Sequence, residues 1–159
     1  MRRSEREVTD ATQIAAFLDS EKVLRVAFYD DGDIYIVPVN YGIVNKSGEY
    51  CFYFHGAKAG RKYSLAQASP RVGFEIDGQY ALIESETACG HSASYMSVIG
   101  TGTLQLVDDP AECVAGLNAV MKQATGRGDW EFPESAVSRT AVFRLNVEKM
   151  SCKRREMPH

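Results

Sequence analysis

The chain has 159 residues, 45% hydrophobic and 25% charged, with a formal net charge of −3. That size and balance suit one globular domain and argue against extended disorder, a general affinity for nucleic acid or anionic membranes, and a second large domain. The longest apolar runs are a few residues and no hydrophobic stretch follows the charged start MRRSEREVTD, so neither a membrane span nor a signal peptide is expected, and a cytoplasmic location is. One domain over 1–159 is expected, with 1–9 and 156–159 as loose termini.

Asp10 with Gln13 three residues on resembles a capping box, and Ile14, Phe17 and Leu18 continue it as a helical stripe, predicting a helix over 11–19. Two apolar runs, 23–29 and 34–44, flank Asp31-Gly32, a turn signal that makes them a hairpin. Pro38 cannot donate to a ladder, so it belongs at an edge, a bulge or the point where the strand leaves its partner. A turn at 45–48 precedes a third strand, EYCFYFH. Residues 61–68 read as a short helix closed by Ser69-Pro70, since the residue before proline avoids helical geometry.

The stretch RVGFEID alternates as a fourth strand, with Val72, Phe74 and Ile76 on one face. A long fifth strand over 94–109 puts Met96, Val98, Leu104 and Leu106 on one face, with Gly100 and Gly102 between them, which suggests a bend or a neighbour pressed close. Asp109-Pro110 starts a third helix in cap-then-proline order, with Val114, Leu117 and Met121 inward and Gly126 at its end. Residues 140–154 form a final strand or pair of strands. About six strands on short turns, with helices spliced in rather than alternating, predict a mainly β fold: an antiparallel barrel or sandwich with peripheral helices.

The candidate chemistry lies in FHGAKAGRKYS. A helix start leaves backbone N–H groups unpaired, and most are filled by a Ser, Thr, Asp or Asn cap. Here GAKAG supplies no capping oxygen, while Arg61 and Lys62 bring a planar fork and a point charge, a combination suited to a phosphate monoester. A solvated first turn is the plain alternative. His55, at the end of the aromatic strand, is either a structural hydrogen-bonder or a group facing a bound ring or anion. Cys51, Cys89, Cys113 and Cys152 make no C-x-x-C pair, so reduced thiols are expected rather than a disulfide framework, and a metal site built with His55 or His91 is not. Trp130 and Phe132 read as packing or contact aromatics, and Lys149, Lys153, Arg154 and Arg155 as a solvated strand end.

Taken in order, VPVNYG, YCFYFHGAKAGRKYSLAQASPRVGFEID and SYMSVIGTG resemble the pyridoxamine 5′-phosphate oxidase-related flavoproteins, in particular the branch of nitroimidazole-resistance proteins, over roughly residues 8–155. The resemblance implies an antiparallel Greek-key split β-barrel that forms a homodimer and binds FMN in a cleft between subunits. It implies that Arg61 and Lys62 hold the FMN phosphate, that Val37, Pro38, Val39 and Asn40 line the flavin ring with their main chain, and that His55 faces the substrate. Ser97 falls on a strand expected near the cofactor. The implied activity is that of an FMN-dependent oxidoreductase reducing a nitroaromatic or similar small molecule. A non-catalytic FMN store or redox sensor, or a split barrel holding haem or a deazaflavin, is the alternative. The substrate-binding C-terminal section of true pyridoxamine phosphate oxidases is not recognisable in CKRREMPH, so vitamin B6 oxidation is not expected.

Overall fold

Strand β3 (Asp33–Asn40) and strand β4 (Gly42–Lys46) are separated in sequence by Tyr41 alone, yet they lie at opposite ends of the same sheet. The computed structural model, which describes residues 4–68 and 70–157, thus divides the apolar run 34–44 that the sequence presents as one strand. The physical reason is Tyr41. Its side chain turns into the core at 1% exposure, donates its hydroxyl to Leu18 O at 2.6 Å and meets Phe52 edge-on at 5.5 Å. Burying that ring and its hydroxyl stops the ladder and redirects the chain.

The remaining strands are β1 (Glu7–Val8), β2 (Val23–Asp30), β5 (Glu49–Ala57), β6 (Arg71–Ile83), β7 (Ser92–Val107) and β8 (Thr140–Arg155). Their order is β3-β2-β6-β7-β8-β5-β4, antiparallel throughout, with β1 added to β8. Chain-adjacent β5 and β6 are not sheet neighbours; the crossover between them carries α2 (Arg61–Ala66), and the result is the expected split barrel. Glu7 and Val8 pair with Lys153 and Cys152, so the expected loose N-terminus is bound to the sheet from residue 7. Residues 1–3, 69, 158 and 159 lie outside the description, and with them the helix-closing role of Ser69.

Local signals explain most elements. Asp10 caps α1 (Ala11–Ser20) by accepting from Thr12 N at 2.8 Å and Gln13 N at 3.3 Å. Asp109 caps α3 (Pro110–Thr125) through Glu112 N at 2.7 Å, and Gly126 ends it in the left-handed conformation. Asp31-Gly32 and Ser47-Gly48 both take paired positive φ values, the conformation of tight hairpin turns. Pro38 sits on the edge strand opposite Arg25, where no donor is needed.

Three expectations shift. The inward stripe of α3 is Cys113, Gly116, Leu117, Val120 and Gln123, not Val114 and Met121, because Gly116 lets the helix settle onto Tyr53. Strand β6 runs past residue 77 through a register shift between Gly78 and Ala81, lengthening the hairpin with β7. A fourth helix, α4 (Glu134–Arg139), follows Pro133. The close-neighbour reading of Gly100 and Gly102 holds: a Cβ on Gly100 would enter Phe74 and Lys149 O, one on Gly102 Asn146 O, and the β7–β8 register shifts between Thr101 and Gly102.

The core is a cluster of Phe17, Phe28, Phe52, Phe54, Phe74 and Phe143 with aliphatic neighbours from β2, β6, β7 and β8. A smaller cluster of Cys113, Leu117 and Val142 fastens α3 to the outside of the sheet, with Phe132 and Val137 packed against it. At its other end α3 is tied to α1 by buried Gln123, whose Nε2 faces Leu18 O (2.7 Å), Asp19 O (3.0 Å) and Glu21 O (2.7 Å). Those carbonyls end α1 and have no intrahelical donor. Leu18 O also accepts from the Tyr41 hydroxyl and Asp19 O from Lys22 Nζ, so Gln123→Leu keeps the bulk and leaves Glu21 O without a donor, and a loss of about 1–3 kcal/mol is expected in urea unfolding.

Candidate functional site

Strand alternation sets the candidate residues. Phe52 and Phe54 point into the core, so Cys51, Tyr53 and His55 face outward, and His55 lies opposite Val142 of β8. Beyond His55 the strand runs through Gly56 to Ala57, and the chain then turns at Gly60 (φ 89°) into α2. Gly60 offers no side-chain cap, as the sequence predicts.

Arg61 and Lys62 leave this turn in different directions. Arg61 Nε donates to Asp30 Oδ2 at 2.6 Å, and its guanidinium lies 4.8 Å from the centre of the Tyr35 ring. This ties the start of α2 to the end of the β2–β3 hairpin and leaves the two terminal amino groups of Arg61 without a partner among the described residues. Lys62 is half-buried. Its ammonium lies over Phe54 (5.5 Å) and Phe143 (5.1 Å), two rings stacked at 4.9 Å, and among the described residues no carboxylate lies within salt-bridge distance. Gly56 makes room for it, since a Cβ there would stand 3.0 Å from Lys62 Nζ. Burial lowers the Lys62 pKa below its ordinary value, and desolvation, followed by the Lys62 charge, lowers that of His55. His55 is therefore neutral at pH 7, able to donate or accept.

His55, Arg61 and Lys62 are thus brought to one corner. Along β3, leading away from Tyr35, Val37 and Val39 pack against the core while Pro38 and Asn40 face out, and Asn40 Nδ2 donates to Lys22 O at 3.0 Å. As the outermost strand, β3 has one side of its main chain unpaired by the sheet. Ser97 is not brought to the corner. It faces outward on β7 between Asp77 and Lys153, nine residues before Leu106, where β7 nears Tyr63 of α2; that is roughly 30 Å of strand at about 3.3 Å per residue.

Sequence reasoning missed what holds the corner: Asp30 and Tyr35 under Arg61, and Phe54 and Phe143 under Lys62. Gly56, breaking an aromatic strand, was the one readable sign of close approach. Asp30 lies in DDGD, where a turn already accounts for it. Elsewhere the four cysteines are free thiols, and His91 Nδ1 lies 3.0 Å from Thr87 O, closing a short turn that holds Cys89. Tyr53, Glu112 and Arg144 form a polar clasp between α3 and the sheet, at 2.9 Å and 2.6 Å, and burial with the Glu112 carboxylate pushes the Tyr53 phenol up to about 12.

A family model described as pyridoxamine 5′-phosphate oxidase matches residues 10–154. No curated protein matches the chain. Among solved structures, a candidate 5-nitroimidazole antibiotic resistance protein from Bacteroides thetaiotaomicron is 22% identical, with TM-score 0.79 over 92% of this chain and 85% of that one. A FAD- and heme-binding protein from Mycobacterium smegmatis is 18% identical, with TM-score 0.82 over 97% of this chain and 76% of that one. A FAD-binding protein from Mesorhizobium loti is 21% identical, with TM-score 0.65 over 95% and 98%. At these identities the likeness establishes the fold. No helix among the described residues is long and apolar enough to cross a membrane.

Proposed function

The chain belongs to the pyridoxamine 5′-phosphate oxidase family, and from that premise we propose that it is a flavoprotein whose Arg61–Lys62 corner holds the phosphate of FMN or of the FMN half of a larger flavin nucleotide. The observation that carries the reading is Lys62: an ammonium half-buried over two rings with no carboxylate partner among the described residues. An unpaired buried charge is costly, and a phosphate dianion would supply the missing counter-ion. The free terminal amino groups of Arg61 add a planar fork beside it. Fold relatives that bind FAD, and one that also binds heme, support a flavin over an unrelated anion and make heme the alternative to exclude.

The ring would lie along the unpaired main chain of Val37–Asn40, with His55 on the substrate side as donor or acceptor. Bound there, a flavin supplies the electron chemistry, and the protein positions and shields it. Reduction of a nitroaromatic or similar small acceptor is the activity this reading favours, in keeping with the nitroimidazole-resistance relative.

A second copy of the chain is the proposed partner. The outer face of β2, β3 and β7 exposes Tyr29 (70%), Ile34 (65%), Ile36 (58%) and Ile99 (57%) around the Arg25–Glu75–Asp77 ion-pair cluster, side chains that a second copy would cover. Such a partner would add its own Ser97 to the surroundings of a flavin held at the Arg61–Lys62 corner.

The test is a fluorescence titration of purified protein with FMN across pH, with mass spectrometry of any ligand released on denaturation. Saturable binding is expected. Affinity should fall as pH rises through the lowered pKa of Lys62, earlier than the ordinary lysine value of 10.5, because the deprotonated amine no longer offsets the dianion. It should also fall below pH about 6, where the phosphate dianion takes up a proton and becomes a monoanion. Lys62→Arg should abolish the alkaline fall, since guanidinium stays charged. Colourless protein that leaves FMN fluorescence unchanged would refute the reading.

A further inference from the structure

A cavity of about 230 Å³ lies on the outside of the sheet, between the end of β7, the start of β8, α3 and α4. Nothing in the flavin reading uses it. Its floor is the start of β8, where Thr140 and Val142 pair with Ala57 and His55 of β5. Lys58 and Tyr63, which bracket Arg61 and Lys62 in the chain, are both on its wall. The cavity therefore adjoins the phosphate corner, and β3 does not contribute to it.

Its size and chemistry narrow the occupant. Clefts that take a whole drug-sized ligand run to roughly 300–1,000 Å³, so this one suits a single ring system belonging to something larger. Leu106, Val107 and Val137 give it apolar walls. At the rim stand the carboxylates of Asp108 and Glu134, the Lys58 ammonium and the Ser138 hydroxyl, and neither carboxylate has a hydrogen-bond or ion-pair partner among the described residues. Two carboxylates against one ammonium disfavour an anionic ring. A neutral heteroaromatic base fits: an exocyclic amine can donate to Asp108 or Glu134 while a ring nitrogen accepts from Lys58, the Ser138 hydroxyl already donating to Ser135 O at 3.3 Å.

We infer that this cavity holds the purine base of a dinucleotide whose phosphates lie at Arg61–Lys62, so that the chain selects FAD over FMN. The inference rests on the flavin reading above and adds a second half to the same site. In its terms Lys58 sits between the two halves, where the second phosphate passes.

Calorimetric titrations of the full chain with FMN, FAD and ADP test it. FAD is expected to bind at least ten-fold more tightly than FMN, and ADP to compete with FAD. Val137→Trp, which fills the cavity, should bring FAD affinity down to that of FMN and leave FMN affinity unchanged. Ser138→Trp, at an exposed rim position, should do the same if the first variant fails to fold in a thermal melt. FMN binding with no preference for FAD, or a preference that survives the folded tryptophan variant, overturns the purine site and leaves the flavin reading standing. Loss of binding for both flavins in the unaltered protein overturns both.

Discussion

Protein carrying both Arg61→Ala and Lys62→Ala is expected to purify colourless and to bind FMN at least 100-fold more weakly than the parent. The two side chains act differently, and the single variants should show it. Arg61 is held by Asp30 at 2.6 Å and over Tyr35 at 4.8 Å, so it meets a ligand already ordered and loses little freedom on binding. Lys62 has no such anchor. Its ammonium is partly desolvated over Phe54 and Phe143, and the cost of that desolvation is borne by the empty protein. Charge-assisted hydrogen bonds are worth about 1.5–3 kcal/mol each, so losing both corresponds to a factor of about 10² or more in affinity.

Lys62→Met should therefore weaken FMN and, by removing an unpaired charge from an aromatic setting, leave the unliganded fold as stable or more so in urea. A double variant that retains its yellow colour and full affinity would remove Arg61 and Lys62 from the binding site. One that loses colour and also unfolds would point to a structural role, which the thermal melt of the unliganded protein separates.

How much of the fold and site is legible in the sequence follows from where the information resides. Helix ends are local chemistry, and Asp10, Asp109-Pro110 and Gly126 mark them because capping uses residues within one turn of each other. Gly100 and Gly102 are legible as a pair, since two glycines on the inward face of a strand leave room that a bend or a close neighbour must fill. Tyr41 is not legible. An aromatic residue among Val, Ile and Gly continues a strand pattern, and only its distant partners, Leu18 and Phe52, turn it into a corner.

Helix α4 escapes for a related reason: six residues with no side-chain cap at Pro133 give periodicity too little length to register. The face of α3 is displaced from its sequence reading because Cys113 and Gly116, which touch the sheet, carry weaker apolar signals than Val114 and Met121, which do so less. At the site, the basic pair and the uncapped turn are visible in HGAKAGRK. The partnerless state of Lys62 is not, because a missing carboxylate is a property of neighbours drawn from β5 and β8. Ser97 illustrates the converse. Its strand is plain in the sequence, and the structure sets it well along that strand from the Arg61–Lys62 corner of the same chain.

Gly42→Ala is expected to be among the most damaging single-methyl changes in the chain, with a loss of about 3 kcal/mol or more. Gly42 opens β4 directly after the Tyr41 corner, and α3 crosses it so closely that an added Cβ would enter the backbone of Ala119 and Val120. A flexible side chain could swing aside; a helix backbone cannot. Relief requires moving α3, which is fastened at one end by Gln123 to the last carbonyls of α1 and at the other by Glu112 to Tyr53 and Arg144. Overpacking usually costs about 1–3 kcal/mol, and a rigid, doubly anchored neighbour places this site at or above the upper end. At roughly 2–4 °C per kcal/mol for a chain of this size, the melting temperature should fall by about 6–12 °C.

Gly73→Ala is the matched control. A Cβ there meets nothing nearer than Ala27 Cβ at 3.7 Å, and its backbone is not in the left-handed region, so it should stay within about 0.5 kcal/mol of the parent. Comparable melts for the two variants would show that α3 yields at Gly42. The helix would then be a movable wall of the cavity it borders, and the selection for a purine base, which depends on that cavity's fixed size, would have to be measured with α3 displaced.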